Sequence, residues 1–301
     1  MAPPIPAGLL LFETQVIRIT RSHLGNRSTP LPCYYINLDR SHARREHMQE
    51  MLKTIGVSAK RLAAVDGRLL DKENRPNLSE RARSFWNLNG GQIGCFLSHR
   101  AFWKIVAEGP EPYAVVLEDD VNMSKGFATL LCEIDWIPED CECIKIDTSV
   151  VDAWYANEKS LPDTDFTIAR PMTDLKGTAG YIISKSAARS LLAQTDVIKA
   201  PVDVQMFCCS DPDFLGLEFL QLNPAVCIQH YLHKGDAPAP ADVINSTIGY
   251  PKRARRPKLP FGWRKIWREF KRPFLKLPPA LLHSYRKLHP NYVWREIDFN
   301  D

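Results

Sequence analysis

The stretch YAVVLEDDV at residues 113–121 constrains this chain more than any other. Tyr113 to Leu117 run without interruption into three acids, Glu118, Asp119 and Asp120. The run is too short for a helix with an outward face. It also lacks the alternation of a half-exposed strand, so it predicts a strand buried on both faces. Three carboxylates at the end of such a strand repel one another, and water or a divalent cation has to offset them.

Around this stretch, strands alternate with helices. CYYINL at 33–38 reads as a strand, followed by a helix that carries Met48, Met51, Leu52 and Ile55 on one face, with Ser41 as its cap and Gly56 at its end. Lys60 to Val65 reads as a short strand closed by Asp66-Gly67. Gly90-Gly91 opens a helix that Gly109-Pro110 stops, with Ile93, Phe96, Leu97, Ala101, Lys104 and Ile105 on its inner side. CIKID at 143–147 is a further strand, and GTAGYIIS at 177–184 is a glycine-rich turn running into another. Ser186 then caps a helix, Pro201-Val202-Asp203 opens a short one, and LEFLQL and AVCIQ are late strands. This alternation predicts an α/β fold with a mostly parallel central sheet covered on both faces. Ligands of such sheets sit beyond the carboxyl ends of strands, which nominates Asp39, Arg40, Asp66, Glu118 to Asp120 and Asp147.

Composition excludes some classes and leaves a charge asymmetry. With 301 residues, 45% hydrophobic and 25% charged, the chain is neither wholly disordered nor a disulfide-stapled miniprotein. Between Pro251 and His289, thirteen Lys or Arg stand against the single acid Glu269, so the rest is net acidic despite an overall +4. A basic segment of this kind suits an anionic surface, membrane or nucleic acid, and a solvated linker is the plain alternative. Trp263, Ile266, Trp267 and Phe270 alternate there with Arg264, Lys265, Arg268 and Lys271, the pattern of an interfacial helix or of one docked on the acidic body. None of the eight cysteines forms a Cys-x-x-Cys pair. Cys33, Cys95 and Cys227 lie in apolar stretches as small hydrophobes, and this usage fits a reducing compartment. The opening MAPPIPAGLLLFETQ makes a poor secretory signal and no stretch of about 18 apolar residues occurs, so the expected location is cytoplasmic.

Arg40, Arg44 and Arg45 follow the first strand at a helix start, where guanidinium groups and amides suit phosphate oxygens. An exposed surface role fits Arg44 better than Arg40. No Gly-x-Gly-x-x-Gly or Walker loop follows a strand, which disfavours dinucleotide binding and P-loop hydrolysis. Ser98-His99 sits inside a helix without a nucleophile elbow, so a structural or positioning role is expected. Asp203 is a candidate base or hydroxyl anchor, or simply an N-terminal helix carboxylate.

Five segments occur in order: YYINLDRSHARREHM, GQIGCFLSHRAFWKIV, YAVVLEDDV, KGTAGYIIS and PVDVQMF. Together, over roughly Cys33 to His230, they resemble glycosyltransferase family 25, which includes bacterial lipooligosaccharide galactosyltransferases and collagen galactosyltransferase catalytic domains. The resemblance implies a GT-A-type, Rossmann-like fold, a UDP-sugar donor, a divalent metal (Mn2+ or Mg2+) and inversion at the anomeric carbon. It implies that Glu118-Asp119-Asp120 is the acidic metal motif, so Asp119 and Asp120 are the expected metal ligands, and His230, just after a late strand, is expected to complete the coordination. Asn37, Asp39, Arg40, Asp66, Glu118, Gly177, Thr178 and Gly180 become the expected nucleotide-sugar contacts. Asp203 is the expected base, with Asp147 second.

The expected organisation is a lead-in over 1–32, a transferase domain over 33–240 and a basic aromatic, helical tail over 251–301. The expected partners are a UDP-sugar, a saccharide or lipid-linked glycan acceptor and an anionic membrane surface reached through 251–289, with no nucleic acid. The location would then be peripheral, at the inner face of the membrane. Competing readings are metal-dependent phosphoryl transfer or nuclease action on the same acids, nucleic-acid binding through the tail, and a pseudoenzyme of the same fold.

Overall fold

A computed structural model describes residues 30–71, 75–132, 134–233 and 281–299. The chain begins β1 (Cys33–Asn37), α1 (His42–Thr54), β2 (Lys60–Ala63), β3 (Asn77–Leu78), α2 (Glu80–Ser84), α3 (Gly90–Glu108), β4 (Tyr113–Glu118), β5 (Val121–Met123) and α4 (Gly126–Cys132). It continues β6 (Cys143–Lys145), β7 (Asp147–Thr148), β8 (Ala153–Ser160), β9 (Thr167–Pro171), β10 (Gly180–Ser184), α5 (Lys185–Gln194), β11 (Val197–Ile198) and α6 (Val202–Phe207). Last come β12 (Phe219–Asn223), β13 (Cys227–Gln229) and β14 (Tyr292–Arg295).

The fold is mixed α/β, built on a nine-stranded sheet in the order β14-β8-β9-β12-β6-β10-β4-β1-β2. The parallel character expected from strand–helix alternation is found at β2-β1-β4 and between β6 and β12. β10 runs antiparallel to both β4 and β6, and β9, β8 and β14 continue antiparallel to the far edge. A buried strand is apolar whichever way it runs, so its composition carries no record of direction.

β4 shows why the apolar run is continuous. Ala114 and Val116 face a core built with Phe96, Phe102, Trp103 and Tyr181, on the side that carries α3, α5 and α6. Val115 and Leu117 face a second core with Met48, Leu52, Phe127 and Ile182, on the side of α1 and α4. Removing a fully buried Trp103 or Phe96 would cost about 3–5 kcal/mol.

Several helix details differ from the sequence reading. Ser41 precedes α1 but makes no side-chain cap. Its carbonyl instead accepts from Asn37 Nδ2 at 3.1 Å, which ties the helix start to β1. Ser184, not Ser186, caps α5, accepting from the Ala187 amide. On α3 the buried face carries Ser98, His99, Phe102, Trp103 and Val106, while Lys104 points outward toward Glu108. Large apolar side chains surround this helix, and only its packing against α5 and the sheet selects the inner face.

The C-terminal segment joins the body. β14 pairs with β8 as the edge strand, Ile297 is core, and Thr148 Oγ1 donates to the Ile297 carbonyl at 2.7 Å. A strand of the main sheet thus comes from within the expected tail over 251–301. The tryptophan-rich stretch 263–271 lies outside the described residues, as do residues 1–29 of the expected lead-in and residues 234–280.

Candidate active site

A cleft of about 530 Å³ opens at the carboxyl ends of β1 and β4. Its wall is set by a backbone contact. A Cβ on Gly94 would lie 2.5 Å from the Val65 carbonyl oxygen, and one on Gly67 would lie 1.6 Å from that of Gly90. The glycines therefore let the first turn of α3 press against the loop after β2. Ser98 fastens the same contact, its Oγ accepting from the Val65 amide at 2.9 Å and donating to the Gly94 carbonyl at 2.7 Å. Asn89 and Gln92 close a capping box, and Gly90 and Gly91 line the cleft.

The rim is basic, with Arg40, Arg68 and Arg75. The floor is acidic, with Glu118, Asp119 and Asp120. Asp119 is fully engaged: Asn37 donates to its Oδ2 at 2.7 Å and Arg44 to its Oδ1 at 2.8 Å. Arg44 is only 3% exposed and also stands 3.4 Å from Asp120 Oδ2. Its burial reverses the sequence ranking, since Arg40 is the more exposed and pairs with Asp66 at 2.8 Å. Asp120 Oδ1 is buried with no hydrogen-bond partner. Burial and the Glu118 and Asp119 charges, against the opposing pull of Arg44, push the Asp120 pKa up to about 7.

Glu118 is held differently. Thr178 Oγ1 donates to its Oε1 at 2.6 Å, and Gln229 Nε2 lies 3.4 Å from its Oε2. Burial works against its ionisation, yet His99, Thr178 and Lys145 together hold its pKa below the ordinary value. His99 Nε2 lies 3.5 Å from Glu118 Oε1, while its Nδ1 meets the Tyr181 hydroxyl at 3.0 Å. Asp66 is kept far below the usual carboxylate range by hydrogen bonds from Arg68 and Arg40.

The remaining predicted residues stand off this surface. Asp39 is exposed and bound by Arg61 at 2.5 Å. Asn37 and Thr178 act from behind, each holding one of the acids. Asp147 is buried and paired with Lys145 at 2.5 Å. Gly177 adopts φ +82° and its amide donates to Asp203 Oδ2 at 3.2 Å, so Asp203 braces the glycine turn. Gly180 serves packing, because a Cβ there would lie 2.3 Å from Cys227 Sγ. His230 lies behind β5, with Nδ1 3.1 Å from Asn122 Oδ1 and its ring edge-on to His47. Lys145, Gln229 and Arg75 are participants the sequence reading did not single out, and Cys95, read there as a small hydrophobe, lines the cleft. Of these, Lys145 carries a signal, a lone lysine inside the apolar strand CIKID.

The donor set can be matched against a divalent cation of the oxygen-preferring kind. Asp120 fits, with an unpartnered buried oxygen on the cleft floor. Asp119 has both oxygens occupied by Asn37 and Arg44, and His230 is not among the cleft-lining residues.

The cleft thus sets basic residues over a carboxylate floor at the ends of parallel strands of an α/β sheet, the place where ligands of such sheets sit. The profile of glycosyltransferase family 25 (LPS biosynthesis protein) matches residues 31–206, more than half of the chain. The chain belongs to this family. It is 31% identical over 180 residues to the lacto-N-neotetraose biosynthesis glycosyltransferase LgtB of Neisseria gonorrhoeae, covering 56% of this chain and 63% of that protein. With the lipooligosaccharide biosynthesis protein lic2B of Haemophilus influenzae it shares 25% identity over 65% of this chain and 75% of that protein. A probable inactive glycosyltransferase 25 family member 3 of Bos taurus is 28% identical over 56% of this chain and 30% of that protein. The match thus spans less than two thirds of LgtB. No helix among the described residues is long and apolar enough to cross a membrane.

Proposed function

We propose that this protein transfers a hexose, galactose before glucose, from a UDP-sugar to a hydroxyl of a saccharide acceptor of the lipooligosaccharide type, with inversion at the anomeric carbon. The observation that carries the reading is the opposition of Arg40, Arg68 and the first turn of α3 to the Asp120 carboxylate across one cleft. Guanidinium forks and helix amides bind a diphosphate, and the fold is read as GT-A type on the strength of family membership. The relatives' names in lacto-N-neotetraose and lipooligosaccharide biosynthesis supply the acceptor class.

A divalent cation, Mn2+ or Mg2+, would be held by Asp120 and would offset negative charge on the departing diphosphate. Arg44 keeps the floor acids in place. Glu118, oriented by Thr178 and facing the cleft, takes the proton of the acceptor hydroxyl, a contribution of roughly 10²–10⁴ in rate. Glu118 replaces Asp203 and Asp147 in this role, because neither of those lines the cleft.

UDP release from a panel of UDP-sugars, with manganese and then with chelator, tests the reading. Manganese-dependent release from one sugar that disappears in Asp120→Ala sustains it. Loss of turnover in Glu118→Gln with retention in Asp203→Asn sustains the base, and the reverse pattern returns the role to Asp203. The probable inactive bovine relative favours a second reading, a cleft that binds without turnover. UDP binding with no release from any sugar, acceptor present, would establish it.

Contact with an anionic membrane surface through 251–289 completes the proposal. Because β14 belongs to the main sheet, deletion of the tail is the wrong test. Reversing Arg264, Lys265, Arg268 and Lys271 to Glu should abolish sedimentation with anionic liposomes. Unchanged sedimentation would remove the membrane from the proposal.

A further inference from the structure

Cys95 and His99 are one helical turn apart on α3, so both side chains project from the same face. That face looks across the cleft at Glu118 on the end of β4. The three potential donor atoms, the Cys95 sulfur, a His99 ring nitrogen and a Glu118 oxygen, all lie within 4.8 Å of one another. His99 is 1% exposed, and its Nε2 makes no hydrogen bond but points at Glu118 Oε1 from 3.5 Å in the buried wall of the cleft.

We propose that Cys95, His99 and Glu118 form a binding site for a thiophilic divalent cation of the zinc type, separate from the oxygen-only position at Asp120. The donor chemistry makes the distinction. Sulfur, imidazole and carboxylate together select zinc over magnesium, manganese or calcium, which prefer oxygen. Zinc bonds of about 2.0–2.3 Å draw such donors in around one ion, and three protein ligands leave a fourth position for water or ligand. That position opens to the cleft, which all three residues line.

The surroundings supply the outer support such a site needs. The Tyr181 oxygen can accept from Trp103 Nε1 at 2.9 Å and from His99 Nδ1 at 3.0 Å, which leaves the Nε2 lone pair for the metal. Thr178 occupies one face of Glu118 Oε1, while Oε2 has only Gln229 at 3.4 Å. On binding, the S–H bond of Cys95 breaks, a sulfur–metal bond forms and the proton passes to solvent. An ion here engages Glu118, so zinc occupies the wall on which the proposed base stands. The site itself does not depend on the donor sugar or on turnover, so its test reads the ion.

Cobalt(II) is the probe, titrated into the full chain after a Cys132→Ser/Cys209→Ser double substitution removes the two exposed thiols. The expected result is one cobalt per chain with a thiolate-to-metal charge-transfer band, displaced by equimolar zinc and not by excess magnesium. Cys95→Ser should abolish that band. Tyr181→Phe should weaken cobalt binding by about 10–100-fold, the usual effect of removing an outer-shell partner. Thermal melting of each variant confirms folding, and Cys95→Ala stands in for Cys95→Ser if the serine variant fails to fold. Absence of the band in the double variant, its persistence without Cys95, or displacement by magnesium would each overturn the proposal. Absence of UDP-sugar turnover in the zinc- and cobalt-free chain supplied with manganese, with the band forming normally on later addition of cobalt, would count against the transferase reading alone.

Discussion

Two buried acids follow strands that flank β10 in the sheet, Asp120 after β4 and Asp147 after β6, and the structure treats them in opposite ways. Asp147 is closed. Lys145 Nζ meets its Oδ1 at 2.5 Å and the Ala179 amide donates to its Oδ2 at 3.2 Å. Lys145 is itself completed by the Gly177 carbonyl at 2.8 Å and by the Phe207 ring, whose centroid is 4.9 Å away. Asp120 is open. Arg44 approaches only one of its oxygens, and the other faces the cleft floor without a partner. Burial raises both pKa values, opposed by the neighbouring cation in each case. The difference lies in the completeness of the hydrogen bonding. A satisfied buried acid fixes the fold, whereas an unsatisfied one beside a cleft is a place for a ligand.

The largest expected effect breaks the closed side of this comparison. Lys145→Met leaves Asp147 buried without its counter-charge and should lower unfolding free energy by about 3–5 kcal/mol in urea titrations. The double variant Lys145→Met/Asp147→Leu should recover most of that loss. A Lys145→Met variant within ~1 kcal/mol of the parent would mean that Asp147 is not closed from water.

Gly180 lies between the two acids on β10 and provides a second test. Gly180→Ala places a methyl 2.3 Å from Cys227 Sγ and should cost about 1–3 kcal/mol. Pairing it with Cys227→Ala should relieve the cost. Equal losses in the single and double variants would show that the clash lies with Leu117 instead.

The open acid predicts a pH dependence of defined sign. The folded pKa of Asp120, about 7, stands above the ordinary unfolded value of ~3.9. Its contribution to stability is therefore complete below about pH 4 and is lost as pH rises through 7. In chelator at pH 8, Asp120→Asn should exceed the parent by roughly 1–3 kcal/mol, and the two should converge near pH 4. Parallel stability curves across that range would place Asp120 in a solvated setting and dissolve the contrast with Asp147.

The smallest effect sharpens the frame. Lys104 projects from the outer side of α3 with Glu108 at 3.9 Å, so Lys104→Ala should change stability by less than ~0.5 kcal/mol. A larger loss would restore the inner position that sequence periodicity gave it.

How far the site was legible varies from residue to residue. The acids after β4 and the arginine after β1 could be read because strand ends are marked by abrupt changes from apolar to charged residues. The burial of Arg44 and the contacts of His99 could not be read, because both lie on helices whose rotation about their own axes depends on neighbours distant in sequence. Arg44 reaches Asp119 across 75 positions, and His99 meets Tyr181 across 82. The strands β8, β9 and β14 escaped notice because polar residues interrupt their apolar pattern, as Asn157, Glu158 and Lys159 do in β8, and because β9 and β14 are short. Their strand character comes from pairing with one another at the sheet edge.

The sequence by itself determined that β4 would be buried on both faces, that acids would stand at its end, and that glycines would start α3. Each follows from local chemistry: apolar side chains leave water, carboxylates do not, and a residue without Cβ permits close backbone approach. Only the tertiary structure decided that β10 runs against its neighbours, that Asp147 is neutralised while Asp120 is not, and that Cys95, His99 and Glu118 converge. Those outcomes depend on distances between residues far apart in the chain, which are fixed when the two cores close on either side of the sheet.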